Sequence, residues 1–130
     1  MKKRRKKGRY HVGLYISSKA GQTYKHRSGW EFSYMKYLDA NDDVVVWSYE
    51  PVSIEYVSNI RTAKIRRYIP DFLVTYTDGS RQLVEVKPAR RMKNPIVKKK
   101  LAAAKLWCDK EGVELCVVTE IELTVLGLLK

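Results

Sequence analysis

The chain has 130 residues, of which 45% are apolar, so it can bury one compact core and has the usual size of one domain. No run approaches the ~20 consecutive apolar residues of a membrane span, and no apolar region follows the basic N-terminus as in a signal peptide, so we expect a soluble protein without a membrane anchor. The 26 Lys and Arg residues outnumber the 14 Asp and Glu residues and give a formal net charge of +12, which favours nucleic acid as the partner.

The N-terminus carries much of this charge. Seven of the positive charges lie in residues 2–9, and subtracting them from the total leaves +5 for the rest of the chain. Residues 1–23 are therefore predicted to form a basic, flexible arm that orders on a phosphate backbone, with a short strand over residues 10–16, and residues 24–130 to form one folded domain. The candidate DNA contacts of the arm are Lys2, Lys3, Arg4, Arg5, Lys6 and Lys7. The alternative is a solvated tail that only aids solubility, which the basic body disfavours.

The first helix is predicted to begin at Ser28, because Ser28 and Glu31 have the spacing of a capping box, and to end within residues 39–42. Glu31, Met35 and Leu38 share one face of this helix, which must pack on the body. Two interpretations of Glu31 remain open. Its carboxylate caps the amide of Ser28, which is favoured for this residue taken alone, or it projects inward toward a cation over the sheet.

The middle of the chain has the composition of β-strands. Residues 44–49 and 52–57 are rich in β-branched and aromatic residues and form two strands, or one strand broken at Glu50-Pro51. Residues 58–64 are predicted to be a loop, and residues 65–69 to return as a strand. Glu50 is either a turn carboxylate or a further metal ligand, and the turn is favoured.

Two further strands carry charged residues at positions that strands disfavour. Ile69 to Val74 and Leu83 to Lys87 are apolar runs joined by a turn. Asp71 lies at the start of the first run, and Glu85 and Lys87 lie near the end of the second. Burying such groups costs several kcal/mol unless they are paired or hold a metal, so these three are candidate site residues.

The strand period of two imposes a test on this hairpin. A tight two-residue turn at Asp78-Gly79 would place Asp71 opposite Val86, on the face away from Glu85, and no common site could form. A common site therefore requires an odd loop, such as residues 77–79 with Gly79 in the left-handed conformation, or a bulge near Asp71.

The last third predicts a crossover to a parallel strand. Asn94-Pro95 is an N-cap followed by proline, Gly112 is a helix stop, and residues 113–118 are an apolar run typical of a buried parallel strand. A short helix over residues 120–130 completes an α/β sandwich around a mixed central sheet. The two cysteines lack metal-ligand spacing, which predicts buried free thiols in a reducing compartment.

Taken together, these motifs resemble the PD-(D/E)xK nuclease signature. Pro70-Asp71 is followed after a gap of thirteen residues by Glu85-Val86-Lys87, and Glu31 occupies the place of the first-helix glutamate. Four short segments, in order, are similar to those of TnsA-like endonucleases and phage head-completion nucleases: residues 27–31, 47–51, 67–72 and 84–88. The resemblance implies the restriction-endonuclease-like α-β sandwich, with one helix before the catalytic hairpin and a crossover helix after it.

The resemblance also implies a metal-dependent DNA endonuclease that leaves 5′-phosphate and 3′-hydroxyl ends. Asp71, Glu85 and the backbone carbonyl of Val86 would hold Mg²⁺, or Mn²⁺ in its place, and Glu31 would complete the oxygen shell directly or through water. Lys87 would orient or deprotonate the attacking water and offset phosphate charge. The implied catalytic residues are thus Glu31, Asp71, Glu85 and Lys87.

Several functional alternatives remain open. Candidate phosphate contacts in the body are Arg66, Arg67, Arg90, Arg91, Lys93, Lys98 and Lys99, with Lys100 in the same run. Within the nuclease class, the chain is a phage head-completion or DNA-processing enzyme, a transposase-associated strand cleaver or a junction resolvase. A resolvase would be a homodimer, whereas the other two would work with a phage or transposition protein. The expected localisation is the cytoplasm, which is the host cytoplasm if the protein is phage-encoded. Outside that class, the alternative is a noncatalytic basic DNA-binding protein.

Overall fold

The computed structural model describes residues 13–17, 19, 23–26 and 28–129, so the contacts predicted for Lys2 to Lys7 lie outside the described residues. A hairpin of two short strands precedes the first helix. The elements, in chain order, are β1 (Gly13–Ile16), β2 (Thr23–His26), α1 (Gly29–Ala40), β3 (Val44–Tyr49), β4 (Ile54–Asn59), β5 (Lys64–Tyr68), β6 (Phe72–Tyr76), β7 (Arg81–Val86), a 3-10 helix (Ala89–Lys93), α2 (Pro95–Glu111), β8 (Glu114–Val118) and α3 (Glu120–Val125).

The central sheet has four strands in the order β3-β6-β7-β8. Strands β3, β6 and β7 are antiparallel neighbours, whereas β8 joins β7 in parallel after the crossover through α2. A parallel neighbour requires such a crossover, because a short turn can only reverse the chain. The predicted mixed sheet and its crossover helix are confirmed. None of the helices in the described part of the chain is long and apolar enough to cross a membrane.

Strands β4 and β5 leave this sheet and pair with each other in a separate hairpin. Of the two readings left open for residues 44–57, the structure has two strands in different sheets. The break falls at Glu50, whose backbone φ is +51°, and at Pro51, which has no amide hydrogen to continue a strand ladder. The first residue of β4 is accordingly Ile54 rather than Val52.

Apolar side chains form two core clusters. One joins α1 to the sheet and includes Met35 and Leu38, as predicted, with Trp47 and Phe72. The other lies under α2 and is formed by buried residues of β4, β5, β7 and α2 and the residue before β8: Ile54, Tyr56, Tyr68, Leu83, Ala104, Cys108 and Val113. The sheet is therefore covered on both sides, which places the carboxyl-terminal end of β7 between α1 and α2.

The carboxylate of Asp39, in the last turn of α1, ties residues 15–17 to the body. It accepts hydrogen bonds from the Tyr15 hydroxyl (2.6 Å), the Ser17 hydroxyl (2.8 Å) and the Trp47 indole nitrogen (2.9 Å). Burial acts to raise the pKa of Asp39, but these hydrogen bonds outweigh it and the pKa is lowered. The charged carboxylate is thus the form that the fold stabilises.

Replacing this carboxylate is expected to destabilise the fold. Asp39→Ala leaves three donors without their acceptor, and we expect a loss of about 3 kcal/mol in the free energy of unfolding. Because the pKa of Asp39 is lowered in the folded chain, its contribution is complete above the ordinary Asp value of about 4 and is lost as the pH falls through the lower, folded value. Urea unfolding followed by tryptophan fluorescence at pH 7 and pH 3 measures both effects. Equal stability of Asp39→Ala and the unaltered chain at pH 7 would contradict the prediction.

Candidate active site

The β6–β7 hairpin has the odd loop that a common site requires. Its loop comprises residues 77–79, closed by a hydrogen bond from the Tyr76 amide to the Ser80 carbonyl (2.9 Å). Gly79 has φ +87°, in the region that glycine adopts at little steric cost. Of the two alternatives, an odd loop or a bulge near Asp71, the structure has the three-residue loop with Gly79 in a left-handed conformation.

This loop sets the register of the two strands. Phe72 lies opposite Val84 and Leu73 lies opposite Leu83. One further step along the same register places Asp71 opposite Glu85, so that both side chains leave the same face of the sheet. The arrangement that would have separated them, with Asp71 opposite Val86, is absent from this hairpin.

The side chain of Asp71 lies at the end of β6, against the backbone of β7. Its Oδ2 accepts a hydrogen bond from the Val86 amide (2.8 Å). Burial raises the pKa of Asp71 well above its ordinary value, and the negative charges of Glu85 and Glu31 raise it further, while the Val86 amide and the Lys87 ammonium act in the opposite direction. The three carboxylates therefore act on one another across a small region.

Glu85 and Lys87 form a buried ion pair. Glu85 Oε2 lies 3.0 Å from Lys87 Nζ, and the two residues are only 5% and 8% exposed. Residues i and i+2 of a strand share one face, which is why two charges of opposite sign meet here. The pair brings an ammonium group beside the two opposed carboxylates.

The structure has a helix cap made by the Ser28 side chain, whereas the Glu31 carboxylate oxygen Oε1 is directed at the sheet, as in the second interpretation. The backbone amide of Glu31 donates to the Ser28 hydroxyl (3.1 Å), so Ser28 caps α1 as predicted. Its Oε1 accepts a hydrogen bond from the hydroxyl of Tyr49, at the end of β3 (2.7 Å). The carboxylate is thus directed at the sheet, on the side where it influences Asp71.

Two tyrosines that the sequence analysis did not single out hold these carboxylates. Tyr49 donates to Glu31, and Tyr68, at the end of β5, donates to Glu85 Oε1 (2.7 Å). Burial and the neighbouring carboxylates raise the pKa of both tyrosines, so both remain hydrogen-bond donors. The sequence could have indicated these two tyrosines through their position, since each lies in one of the four segments that carry the family resemblance.

Glu50 is joined to Asp71 by a backbone hydrogen bond. Its amide donates to the Asp71 carbonyl (2.7 Å), and its positive φ is uncommon for a residue with a side chain. Its charge contributes to raising the pKa of Tyr49, after burial and Glu31. The favoured interpretation as a turn residue agrees with this backbone conformation, and the carboxylate nevertheless lies within electrostatic reach of the site.

The donor set fits a hard divalent cation in part. Asp71 and Glu85 are opposed carboxylates whose mutual repulsion raises the pKa of Asp71, and a cation between them would relieve it. The carbonyl of Val86 lies on the same edge of β7 as its amide, which faces Asp71. However, among residues 28–129 and the described residues before them, no three His, Cys, Asp or Glu side chains are grouped as a ready-made metal site.

The candidate phosphate contacts of the body are all exposed: Arg66, Arg67, Arg90, Arg91, Lys93, Lys98 and Lys99. Arg91 and Arg66 lie close enough to Lys100 for their charges, after burial and the charge of Lys87, to lower its pKa. Lys99 instead bonds the carbonyl of Ser58 (2.8 Å) and links α2 to β4.

The chain is similar to known nucleases. The model of the TnsA-like endonuclease N-terminal family matches residues 41–120, a range that includes Asp71, Glu85 and Lys87 and begins after Glu31. The head completion nuclease of Enterobacteria phage T4 is 27% identical over 124 residues, in an alignment that covers 78% of this chain and 82% of that protein.

Proposed function

This chain belongs to the TnsA-like endonuclease family, and from that premise we propose that it is a Mg²⁺-dependent DNA endonuclease of the phage head-completion or DNA-processing type. It hydrolyses phosphodiester bonds and leaves 5′-phosphate and 3′-hydroxyl ends. The observation that carries the proposal is the register that sets Asp71 opposite Glu85, with Lys87 bound to Glu85.

The oxygen atoms of the site are the proposed ligands of the Mg²⁺ ion. Asp71, Glu85 and the carbonyl of Val86 would hold the ion, with Glu31 as a further ligand directly or through water. When bound, Mg²⁺ neutralises charge on the phosphate oxygens and acidifies a water molecule. Tyr68 and Tyr49 act as positioning residues, because each fixes one carboxylate oxygen, of Glu85 and of Glu31 respectively, by a hydrogen bond.

Lys87 serves the phosphate and the attacking water. Its ammonium is held beside Glu85 and is nearly buried, so its charge is less screened than that of a surface lysine. As an ammonium it offsets negative charge on the phosphate and orients the water that attacks, and it would deprotonate that water only after giving up its own proton. The ion pair holds this group on the face where Asp71 and Glu85 meet.

Removal of the metal is expected to stop the reaction. Supercoiled plasmid incubated with the chain should be nicked in Mg²⁺ and remain supercoiled in excess EDTA, with Mn²⁺ restoring activity. Nicks with 5′-phosphate and 3′-hydroxyl ends should be sealed by a DNA ligase without prior end repair. Equal nicking in EDTA would contradict metal dependence, and nicks that a ligase closes only after end repair would contradict the end chemistry.

A noncatalytic DNA-binding protein is the second candidate function. The observation that favours it is that the Lys87 ammonium lies 3.0 Å from Glu85 and neutralises it in place of a metal ion. This function predicts a mobility shift of plasmid DNA with no change in its topology at any Mg²⁺ concentration, so the same plasmid experiment distinguishes the two.

A further inference from the structure

A basic groove lies between the β4–β5 hairpin and helix α2, outside the candidate active site. It has a volume of about 430 Å³. Its lining includes three cationic side chains, those of Lys64, Arg66 and Lys100, together with Ser58, Tyr56 and Ile96. None of the described residues that line this hairpin groove is acidic. The groove is therefore suited to an anion.

The cations around the hairpin groove repel one another. Burial, and then the charges of Lys87, Arg91 and Arg66, lower the pKa of Lys100, with only Glu85 acting against them. A cluster of like charges without enough counter-charge gains from binding phosphate, which can contact several cations at once. The fold itself brings these like charges together, since Arg66 lies on β5 and Lys100 on α2.

Tyr68 separates the hairpin groove from the candidate active site. Lys100 Nζ lies 5.8 Å from the centre of the Tyr68 ring, and the hydroxyl of the same tyrosine donates to Glu85 Oε1 at 2.7 Å. The width of one aromatic side chain therefore separates the Lys100 ammonium from Glu85, a proposed metal ligand. A nucleic-acid strand cut at the site would have its neighbouring phosphates close to the groove.

The size and lining of the hairpin groove suit one strand rather than a duplex. Its volume of about 430 Å³ lies in the range of about 300–1,000 Å³ typical of sites for small ligands. Tyr56 and Ile96 both line the groove, but Tyr56 is only 7% exposed, so the apolar surface for a sugar or a base comes from the exposed Ile96. Cationic grooves with such surfaces bind single strands without reading their sequence.

We propose that the hairpin groove binds the backbone of a single DNA strand next to the cleaved bond, with phosphates contacting Arg66 and Lys100. The position relative to the cleaved bond rests on the proposed function, whereas the binding itself does not. The phosphodiester backbone supplies the binding energy, so the groove contributes affinity that depends on salt and is indifferent to sequence.

The test measures binding of fluorescent oligothymidylate by anisotropy in EDTA, over a series of salt concentrations. The full chain is compared with the groove variant, Arg66→Ala/Lys100→Ala. The charge-matched control is Lys105→Ala/Lys110→Ala, which alters two exposed lysines of α2, the helix that carries Lys100. The groove variant is expected to bind more weakly than the control. The slope of log K against log salt should be less negative than that of the unaltered chain by about 1.4, since each phosphate contact on a single strand contributes about −0.7.

A second measurement uses the unaltered chain and so does not depend on the folding of a variant. Acetylation of Lys64 and Lys100, followed by mass spectrometry, is expected to slow when oligothymidylate is bound, whereas acetylation of Lys105 and Lys110 is not. The proposal is overturned if the groove and control variants have equal slopes, or if Lys64 and Lys100 react at the same rate with and without the oligonucleotide. Because both measurements are made in EDTA, where no metal-dependent cleavage occurs, their results do not depend on whether the chain nicks plasmid DNA.

Discussion

Asp71→Asn is expected to abolish nicking of supercoiled plasmid in Mg²⁺, with a loss of at least about 1,000-fold in rate. Asparagine keeps the shape of the side chain and an oxygen that can accept the Val86 amide hydrogen bond. It removes the negative charge that the proposed metal site requires. Binding of plasmid in EDTA should remain within a few-fold of the unaltered chain, because no phosphate contact is removed.

The same substitution is expected to stabilise the metal-free chain. The pKa of Asp71 is raised by burial and by the charges of Glu85 and Glu31, so its ionised form opposes folding at neutral pH, where an unfolded Asp is fully charged. The neutral amide removes this opposition, and the free energy of unfolding at pH 7 in EDTA should rise. A residue with only a structural role would lose stability together with activity.

The matched control is Asp42→Asn, which changes the same chemical group at an exposed position. It should leave both the nicking rate and the stability unchanged. Nicking by purified Asp71→Asn at the rate of this control would remove Asp71 from the proposed metal site. Urea unfolding in EDTA and a timed plasmid assay provide the two readouts from one preparation.

Lys87→Met is expected to lower the nicking rate by about 100- to 10,000-fold and to destabilise the chain. Methionine keeps much of the apolar stem of lysine but leaves Glu85 buried without its ammonium partner. Breaking a buried ion pair by removing one partner costs about 3–5 kcal/mol. The rate must therefore be measured at a temperature at which circular dichroism shows the variant to be folded.

A double variant separates the two effects. Glu85→Gln/Lys87→Met removes both charges and should recover most of the lost stability, because neither partner is left as an unpaired buried charge. It should not recover any nicking. Activity in the double variant comparable to the unaltered chain would contradict the roles assigned to both residues.

Mg²⁺ should also affect the single variant differently. In Lys87→Met the carboxylate of Glu85 has lost its ammonium, so added Mg²⁺ should raise Tm more than it does for the unaltered chain. Lys105→Met is the control, because it breaks an exposed ion pair with Asp109, which contributes little to stability. Equal Mg²⁺-induced shifts in Tm for Lys87→Met and the unaltered chain would argue against a metal at Glu85.

The sequence by itself determined the features that follow from local rules. The odd loop before Ser80, with glycine as its third residue, set Asp71 and Glu85 on one face, because side chains alternate along a strand with a period of two. The caps of α1 and α2 were equally readable, since Ser28 and Asn94 act on amides two or three residues away. Such contacts depend on short stretches of chain that the sequence contains in full.

Only the tertiary structure decided which distant groups meet. Tyr49 reaches Glu31 across 18 positions and Tyr68 reaches Glu85 across 17 positions, and no local period distinguishes them from other aromatic residues of strands. The departure of β4 and β5 from the central sheet formed the hairpin groove with Lys100. Hydrogen bonds and charge repulsion act over a few ångströms in space, so their partners are set by how the layers pack and not by separation along the chain.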